Sequence, residues 1–250
     1  MARETILERL ERGVLLLVLN RPKQRNAFNH AMWTELREAL GDACADDRVH
    51  HGADQDLGEL GRREEDGDRE HGFARFMDEL CAFDKPLVAA VNGVGVGIGL
   101  TLLLHCDLVF IAEGARLRAP FVALGVVPEA ASSYLLPLQI GHQRAAEVLF
   151  TAEWIDARRA VELGIASRLY PPGELLPAAL ARAEEIARQP LGSLRHTKRL
   201  LLAHRREGIR RAREGEDAGF RERVGTAENV EAIRAFFEKR PPDFSKIPPG

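Results

Sequence analysis

Cysteine is scarce in the 250-residue chain, and its placement argues against a disulfide framework or a zinc site. The three cysteines, Cys44, Cys81 and Cys106, have no metal-binding spacing, and an odd number cannot all pair. A reducing compartment is the simplest setting for such a chain, so we expect a cytoplasmic protein. The sequence predicts no metal site.

Long apolar runs are also lacking. No stretch reaches the ~18 apolar residues that a membrane-spanning helix needs, and the N-terminal residues lack a signal-peptide core. The formal net charge of −3 argues against general nucleic-acid binding. With 45% hydrophobic and 29% charged residues, the composition is that of a globular protein. We therefore expect no membrane partner and no nucleic-acid partner.

The most glycine-rich stretch contains neither of the common nucleotide-binding motifs. Glycine occupies every second position there: Gly93, Gly95, Gly97 and Gly99. This spacing is not GxGxxG, and no GxxxxGK[ST] run occurs in the chain. The apolar run 100–104 predicts a buried helix whose first N–H groups face the glycines, an arrangement that favours a phosphate or an oxyanion. A turn kept only for tight helix packing remains the alternative.

A single carboxylate, Glu129, lies among small and apolar residues in the segment 125–134. It has two structural explanations: an exposed residue in the first turn of a helix, or one half of an ion pair. The functional explanation is a desolvated general base whose pKa is raised toward neutrality. The local sequence alone favours the structural explanations.

The hydrophobic pattern predicts an α/β region followed by a mostly helical one. A β-hairpin is predicted over residues 5–20 and a helix over 30–46, followed by a loop with no β run. Beyond residue 140 helical periodicity dominates. The last helices carry many arginines, and this predicts a solvent-exposed face. They are Arg195, Arg199, Arg205, Arg206, Arg210, Arg211 and Arg213.

Several short segments, spread along nearly the whole chain, occur together in one known family. They are Leu19-Asn20-Arg21-Pro22, Gly52-Ala53-Asp54, Lys85-Pro86-Leu87-Val88-Ala89-Ala90-Val91-Asn92-Gly93, Cys106-Asp107 and the run Glu231 to Phe237. On these residues the chain resembles the crotonase (enoyl-CoA hydratase/isomerase) superfamily. The resemblance implies an α/β fold: a spiral of ββα units over residues 1–190 that holds the active site. It also implies a helical trimerisation region over 191–250, which packs on the core and on neighbouring subunits.

The same resemblance implies an acyl-CoA thioester as substrate and a homotrimer or a dimer of trimers as the assembly. No separate cofactor is expected, since the substrate carries its own CoA. The backbone N–H groups of Ala53 and Ile98 match the pair that holds the thioester oxygen as the enolate forms. Further positions match those that contact CoA, although a free surface lysine is an equal alternative for the last of them. They are Lys23, Arg25, Ala27, Phe236 and Lys239.

The resemblance also indicates a reaction type. Thr101 and Phe121 occupy the positions where hydratases of the family carry their two glutamates, and neither can act as an acid or a base. Glu129 lies where Δ3,Δ2-enoyl-CoA isomerases, particularly those of the peroxisomal type, carry a single catalytic glutamate. We therefore expect an isomerase. Another crotonase reaction such as hydration, or a non-catalytic acyl-CoA-binding protein, remains the alternative.

One junction departs from the family pattern. At His50-His51 the chain passes directly to Gly52-Ala53-Asp54, where family members have a β-strand and a short loop first. Either the sequence omits a segment that the native protein has, or a deletion has damaged half of the oxyanion hole and left Ala53 unsupported. Loss of a buried strand should cost more than the ~5–15 kcal/mol by which a domain is stable. The sequence therefore favours omission.

Overall fold

The computed structural model describes residues 3–49, 51–55 and 69–247, with the backbone alone described at 51–55 and 69–71. The strands in chain order are β1 (Ile6–Glu11), β2 (Val14–Leu19), β3 (His51–Gln55), β4 (Leu87–Val91), β5 (Val94–Val96), β6 (Leu108–Ala112), β7 (Arg116–Arg118), β8 (Trp154–Asp156) and β9 (Arg168–Tyr170). A main sheet has the order β1-β2-β3-β4-β6-β9, and a smaller sheet has the order β5-β7-β8. Apart from the β1–β2 and β7–β8 pairs, the pairings are parallel.

The helices cover the sheets and then continue alone toward the end of the chain. They are α1 (His30–Ala45), α2 (Arg69–Ala82), α3 (Ile98–Thr101), α4 (Ser132–Ile140), α5 (His142–Thr151), α6 (Ala157–Leu163), α7 (Leu175–Ala187), α8 (Leu191–Ala203), α9 (Arg206–Arg223) and α10 (Ala227–Glu238). A 3-10 helix over Leu102–His105 continues α3. In the described part of the chain, no helix is long and apolar enough to cross a membrane.

The predicted hairpin over residues 5–20 is confirmed. β1 and β2 pair antiparallel from Ile6 opposite Leu19 to Glu11 opposite Val14. Arg12 and Gly13 form the two-residue turn, with φ of 50° and 79°. Positive φ at both positions matches the right-handed twist of the strands that the turn joins. The helix predicted over 30–46 is also confirmed, since α1 covers His30–Ala45. Asn29 caps it by accepting the N–H of Met32 at 3.0 Å.

The prediction that α1 is followed by a loop without a strand was wrong. Residues His51–Gln55 form β3, which pairs parallel with both β2 and β4. Ala53 lies opposite Leu16 on one side and Val88 on the other. The segment is polar, so its sequence does not predict a strand. Its strand conformation depends on pairing with the apolar strands β2 and β4, because tertiary context can override local propensity.

The core forms on both faces of the main sheet, as expected of parallel strands covered on each side. Alternate residues of β4 and β6 separate into two layers because successive side chains point to opposite faces. Val88, Ala90, Phe110 and Ala112 pack with Leu175 and Ala179 of α7. Ala89, Val91, Val109 and Ile111 instead join the larger core with α1, α2 and the glycine-rich segment.

The prediction of a wholly solvent-exposed arginine face on the last helices was partly wrong. Arg195 and Arg199 of α8 both donate to Asp84 Oδ2, from Nε at 3.0 and 2.9 Å. Buried Lys198 lies between them in sequence and donates to the Lys85 carbonyl at 2.7 Å and to Asp107 Oδ2 at 2.8 Å. These bonds hold α8 against the start of β4, so its charged side chains are structural.

Candidate active site

The glycine-rich turn leads into α3, as the sequence predicts. Gly97 caps the helix with φ 60° and ψ −115°, a conformation that glycine adopts far more readily than other residues. A side chain on Gly95 would lie 2.7 Å from the Gly99 carbonyl oxygen, so the backbone approaches itself closely here. The carbonyl of Gly97 accepts the N–H groups of Leu100 and Thr101 at 2.9 and 3.0 Å. Among the described backbone contacts, none uses the N–H of Ile98.

The second predicted oxyanion donor, Ala53, has a different environment. It lies inside β3 between two paired strands. A residue at such a position directs its backbone N–H and C=O into the sheet toward its neighbours. Ile98 and Ala53 therefore differ: one N–H lies at a helix start and the other belongs to a sheet.

Glu129 lies in the loop that precedes α4, and it is half-buried. The surrounding protein removes most of the hydration of its carboxyl group. This desolvation, together with repulsion from the Glu216 carboxylate, raises the pKa of Glu129 from 4.5 to about 7. A carboxylate with that pKa can accept and return a proton near neutral pH. Neither structural explanation of Glu129 fits, since it is not freely exposed and no ion pair with it is described.

The two residues after Glu129 have an unusual backbone. Ala130 and Ala131 both have φ of 59°, in the left-handed region that alanine rarely occupies. Both are fully buried. Such strain costs of order 1–3 kcal/mol per residue and persists only where the surroundings hold it. The conformation of the turn that carries Glu129 is therefore stabilised by contacts with the rest of the protein, since the backbone preference of alanine opposes it.

Glu216 of α9 supplies two of those contacts. Its Oε2 accepts the N–H of Ala131 at 2.6 Å, and its Oε1 accepts the N–H of Ser133 at 2.8 Å. The Glu216 side chain is buried, and desolvation raises its pKa while the two N–H bonds oppose that rise. Sequence analysis did not identify this residue, because a glutamate in an arginine-rich helix resembles an ordinary surface residue.

His105 supplies a third contact, at the end of the 3-10 helix. Its Nε2 lies 2.8 Å from the Ala130 carbonyl oxygen, and its Nδ1 lies 3.9 Å from Cys81 Sγ. Burial lowers the pKa of His105 to about 4, so the ring is neutral at pH 7. The neutral ring therefore donates from Nε2 to Ala130 and leaves Nδ1 to face the Cys81 thiol.

The two positions predicted to match the hydratase glutamates are both buried. Thr101 is fully buried in α3, and Phe121 lies at the start of the turn before Glu129. The Thr101 hydroxyl has no hydrogen-bond partner among the described residues. Neither side chain offers an ionisable group to the site.

The predicted CoA-contacting residues fall on two separate segments. Lys23, Arg25 and Ala27 lie between β2 and α1, where the two basic side chains are exposed and Ala27 is buried. Phe236 and Lys239 lie at the end of α10, and both are exposed. α10 packs on the residues before Glu129, with Asn229 Nδ2 donating to the Leu124 carbonyl at 2.7 Å. Contact of either segment with CoA stays a prediction.

Comparison with known proteins identifies the family. The model of the family described as Enoyl-CoA hydratase/isomerase matches residues 9–247. This chain therefore belongs to the enoyl-CoA hydratase/isomerase family, which acts on acyl-CoA thioesters and whose members are generally oligomeric. A crystal structure of an enoyl-CoA hydratase/isomerase from Pseudoalteromonas atlantica T6c has a TM-score of 0.89 and 34% identity, covering 96% of this chain and all of that one. The crotonase fold predicted from the sequence is confirmed.

Relatives in this family carry both reaction names. A putative enoyl-CoA hydratase of Thermus thermophilus is 39% identical, over 94% of this chain and 99% of its own length. Enoyl-CoA delta isomerase 2 of Rattus norvegicus is 32% identical, over 94% of this chain and 64% of its own length. The Thermus alignment extends over 254 positions although it covers only 94% of these 250 residues, so that relative has residues that this chain lacks.

Proposed function

We propose that this protein isomerises 3-enoyl-CoA to trans-2-enoyl-CoA, with Glu129 as the only acid–base group. The observation that carries the proposal is the half-buried carboxylate of Glu129, with its pKa raised to about 7, in a site where Thr101 and Phe121 replace the two hydratase glutamates. Moving a double bond needs one base that can also return the proton. Adding water needs a second group to position and activate that water.

The proposed reaction is a proton transfer in two steps. The Glu129 carboxylate removes a proton from C2 of the 3-enoyl thioester, and the electron pair moves into a dienolate whose negative charge lies on the thioester oxygen. The protonated Glu129 then delivers the proton to C4, and the double bond moves from C3–C4 to C2–C3. A single carboxyl group thus suffices, and its pKa near 7 favours both transfers.

The dienolate oxygen needs hydrogen-bond donors. The backbone N–H of Ile98 is the first proposed donor, because its helix-start position leaves it without a described backbone partner. The second proposed donor, Ala53, can contribute only if its N–H leaves the β3 ladder. Loss of one such donor typically lowers kcat by about 10²–10³-fold. We therefore expect slow turnover from the chain with the short junction.

The test is conversion of a 3-enoyl-CoA to its conjugated 2-enoyl isomer by wild-type protein and by Glu129→Gln. The proposal expects turnover in wild type and a loss of at least about 10²-fold in kcat in the variant, with acyl-CoA binding retained. Glu113→Gln, at an exposed carboxylate, is the matched control and should behave as wild type. Isomerase activity that survives in Glu129→Gln would refute Glu129 as the base.

Hydration of 2-enoyl-CoA is the second candidate, and the name of the Thermus relative favours it. Against it stands the lack of a carboxylate at Thr101 and Phe121. Both oxygens of the nearby Glu216 accept backbone N–H groups, which leaves this carboxylate poorly placed to activate water. Water addition that is faster than isomerisation, and that Glu129→Gln abolishes, would establish hydration instead. Tight acyl-CoA binding with neither reaction would indicate a binding protein.

We propose a homotrimer or a dimer of trimers as the assembly. Large apolar side chains are exposed on the last helices, and exposed apolar surface of this kind is typical of protein–protein contacts. They are Leu200, Leu201, Phe236 and Phe237, each more than 60% exposed. Sedimentation analysis of the purified protein tests this, and a monomer at micromolar concentration would contradict it.

A further inference from the structure

Helix α9 packs along the loop that carries Glu129, and it does so at three places. A side chain on Gly208 would lie 2.3 Å from the Tyr134 ring, so the ring sits directly on the helix backbone. A side chain on Gly219 would lie 3.2 Å from Val127. Between these two glycines, Glu216 reaches the turn itself. The helix therefore contacts the loop on both sides of the reacting carboxylate.

Glu216 binds the part of the loop whose backbone conformation is strained. Ala130 and Ala131 are both left-handed, and their conformation must be imposed from outside. Glu216 binds the N–H groups of Ala131 and Ser133, one with each carboxylate oxygen. An ionised carboxylate is the form that two N–H donors favour, and such charge-assisted bonds are about twice as strong as neutral ones.

Resting on the function proposed above, we propose that Glu216 is a positioning residue: its carboxylate fixes the 130–133 turn and holds a negative charge near Glu129. It does not touch the reacting atoms. The turn sets the direction from which Glu129 reaches C2 and C4. The fixed charge makes a second negative charge nearby unfavourable, so Glu129 holds a proton more strongly.

Other ionisable groups surround the turn and must be considered in any pH dependence. From the 3-10 helix, His105 is neutral near pH 7 and binds the Ala130 carbonyl. From α2, Cys81 has a pKa raised by burial. From α9 itself, Arg213 pairs with Asp78 at 2.8 Å, and Asp217 is exposed. Glu216 is the anion whose repulsion raises the pKa of the Glu129 carboxyl group.

The test compares Glu216→Gln, Glu216→Asp and the exposed control Glu222→Gln in the isomerase assay across pH. In Glu216→Gln, the acidic limb of the kcat/KM profile should move down by about one pH unit because the repulsion is gone. Its plateau kcat should fall by roughly 10-fold or more because the turn loosens, with a smaller change in KM. Glu216→Asp keeps the charge, so its acidic limb should stay in place while its plateau falls. Glu222→Gln should match wild type.

A role in folding alone would lower the yield or the Tm of Glu216→Gln without moving the pH profile, and this outcome would overturn the proposal. An infrared titration separates the proposal from the isomerase assignment. The protonated carboxyl band that disappears in Glu129→Gln reports Glu129 directly, with or without turnover. The midpoint of this titration gives the pKa of Glu129. If the midpoint is lower in Glu216→Gln than in wild type, and wild type has no isomerase activity, the positioning role stands and the proposed function fails. An unchanged midpoint in an active enzyme refutes the positioning role.

Discussion

Replacing Glu129 by glutamine is expected to stabilise the folded protein at alkaline pH and to leave it nearly unchanged at acidic pH. The pKa of Glu129 is about 7 in the folded protein, against an ordinary value of 4.5 for an exposed glutamate. The folded state therefore binds the proton more tightly than the unfolded state. Stability from this group is fully present below the unfolded pKa and is lost as pH rises through the folded pKa. Glutamine, which resembles the protonated form, escapes this loss.

The size of the effect follows from the two pKa values. Between about pH 5.5 and pH 8.5, a shift from 4.5 to about 7 corresponds to about 2 kcal/mol of unfolding free energy. Glu129 is half-buried as a residue, so we expect about 1–2 kcal/mol. For a chain of this length that is roughly 3–6 °C in Tm.

The assay is denaturant unfolding of wild type, Glu129→Gln and the surface control Glu113→Gln at both pH values and at one protein concentration, because an oligomer's stability depends on concentration. The advantage of Glu129→Gln over wild type should be about 1–2 kcal/mol larger at the higher pH than at the lower one. Glu113→Gln should show no such pH-dependent difference. An equal free-energy difference at both pH values would refute the assignment of a strongly raised pKa to Glu129.

Three further variants test packing and buried polar contacts. Gly125→Ala should destabilise the protein by about 2–3 kcal/mol in urea unfolding, because Gly125 has φ +68° and a side chain there would lie 2.8 Å from the α10 backbone. Gly141→Ala, at φ +86° with open space around it, should cost only about 1 kcal/mol, and equal losses would show that crowding plays no part. Lys198→Met should cost about 2–4 kcal/mol, since it removes the donor to the Lys85 carbonyl and the cation beside Asp107; a loss below about 0.5 kcal/mol would contradict this reading.

Local patterns in the sequence were enough for much of the fold. The hairpin turn at Arg12-Gly13 and the cap at Asn29 depend on neighbours along the chain, and both were predictable for that reason. Strand β3 was not, because the residues His51–Gln55 carry no apolar pattern. Their strand conformation comes from β2 and β4, which are distant in sequence.

The candidate site divides in the same way. The start of α3 was predicted as an anion site from its local glycine pattern, whereas Glu129 was predicted as a base only through the family resemblance, because its local sequence favours a structural role. Glu216 could not be found, since its carboxylate meets Ala131 through folding of residues 85 positions apart. The left-handed conformation of Ala130 and Ala131 was equally hidden, because alanine gives no sign of positive φ.

The contact face of α9 also defines a sequence signature. Gly208 and Gly219 lie on nearly the same side of a helix with 3.6 residues per turn, and Glu216 lies within about 80° of both. Glycine is needed at position 208, where the Tyr134 ring lies against the helix, and only a small residue fits at position 219, against Val127. A carboxylate is needed between them, at position 216. Chains that combine this spacing with a Pro-Glu-Ala-Ala-Ser-Ser run upstream should place the glutamate of that run in the same turn. The pattern thus offers a way to sort family members by site geometry from sequence, independently of the reaction names they carry.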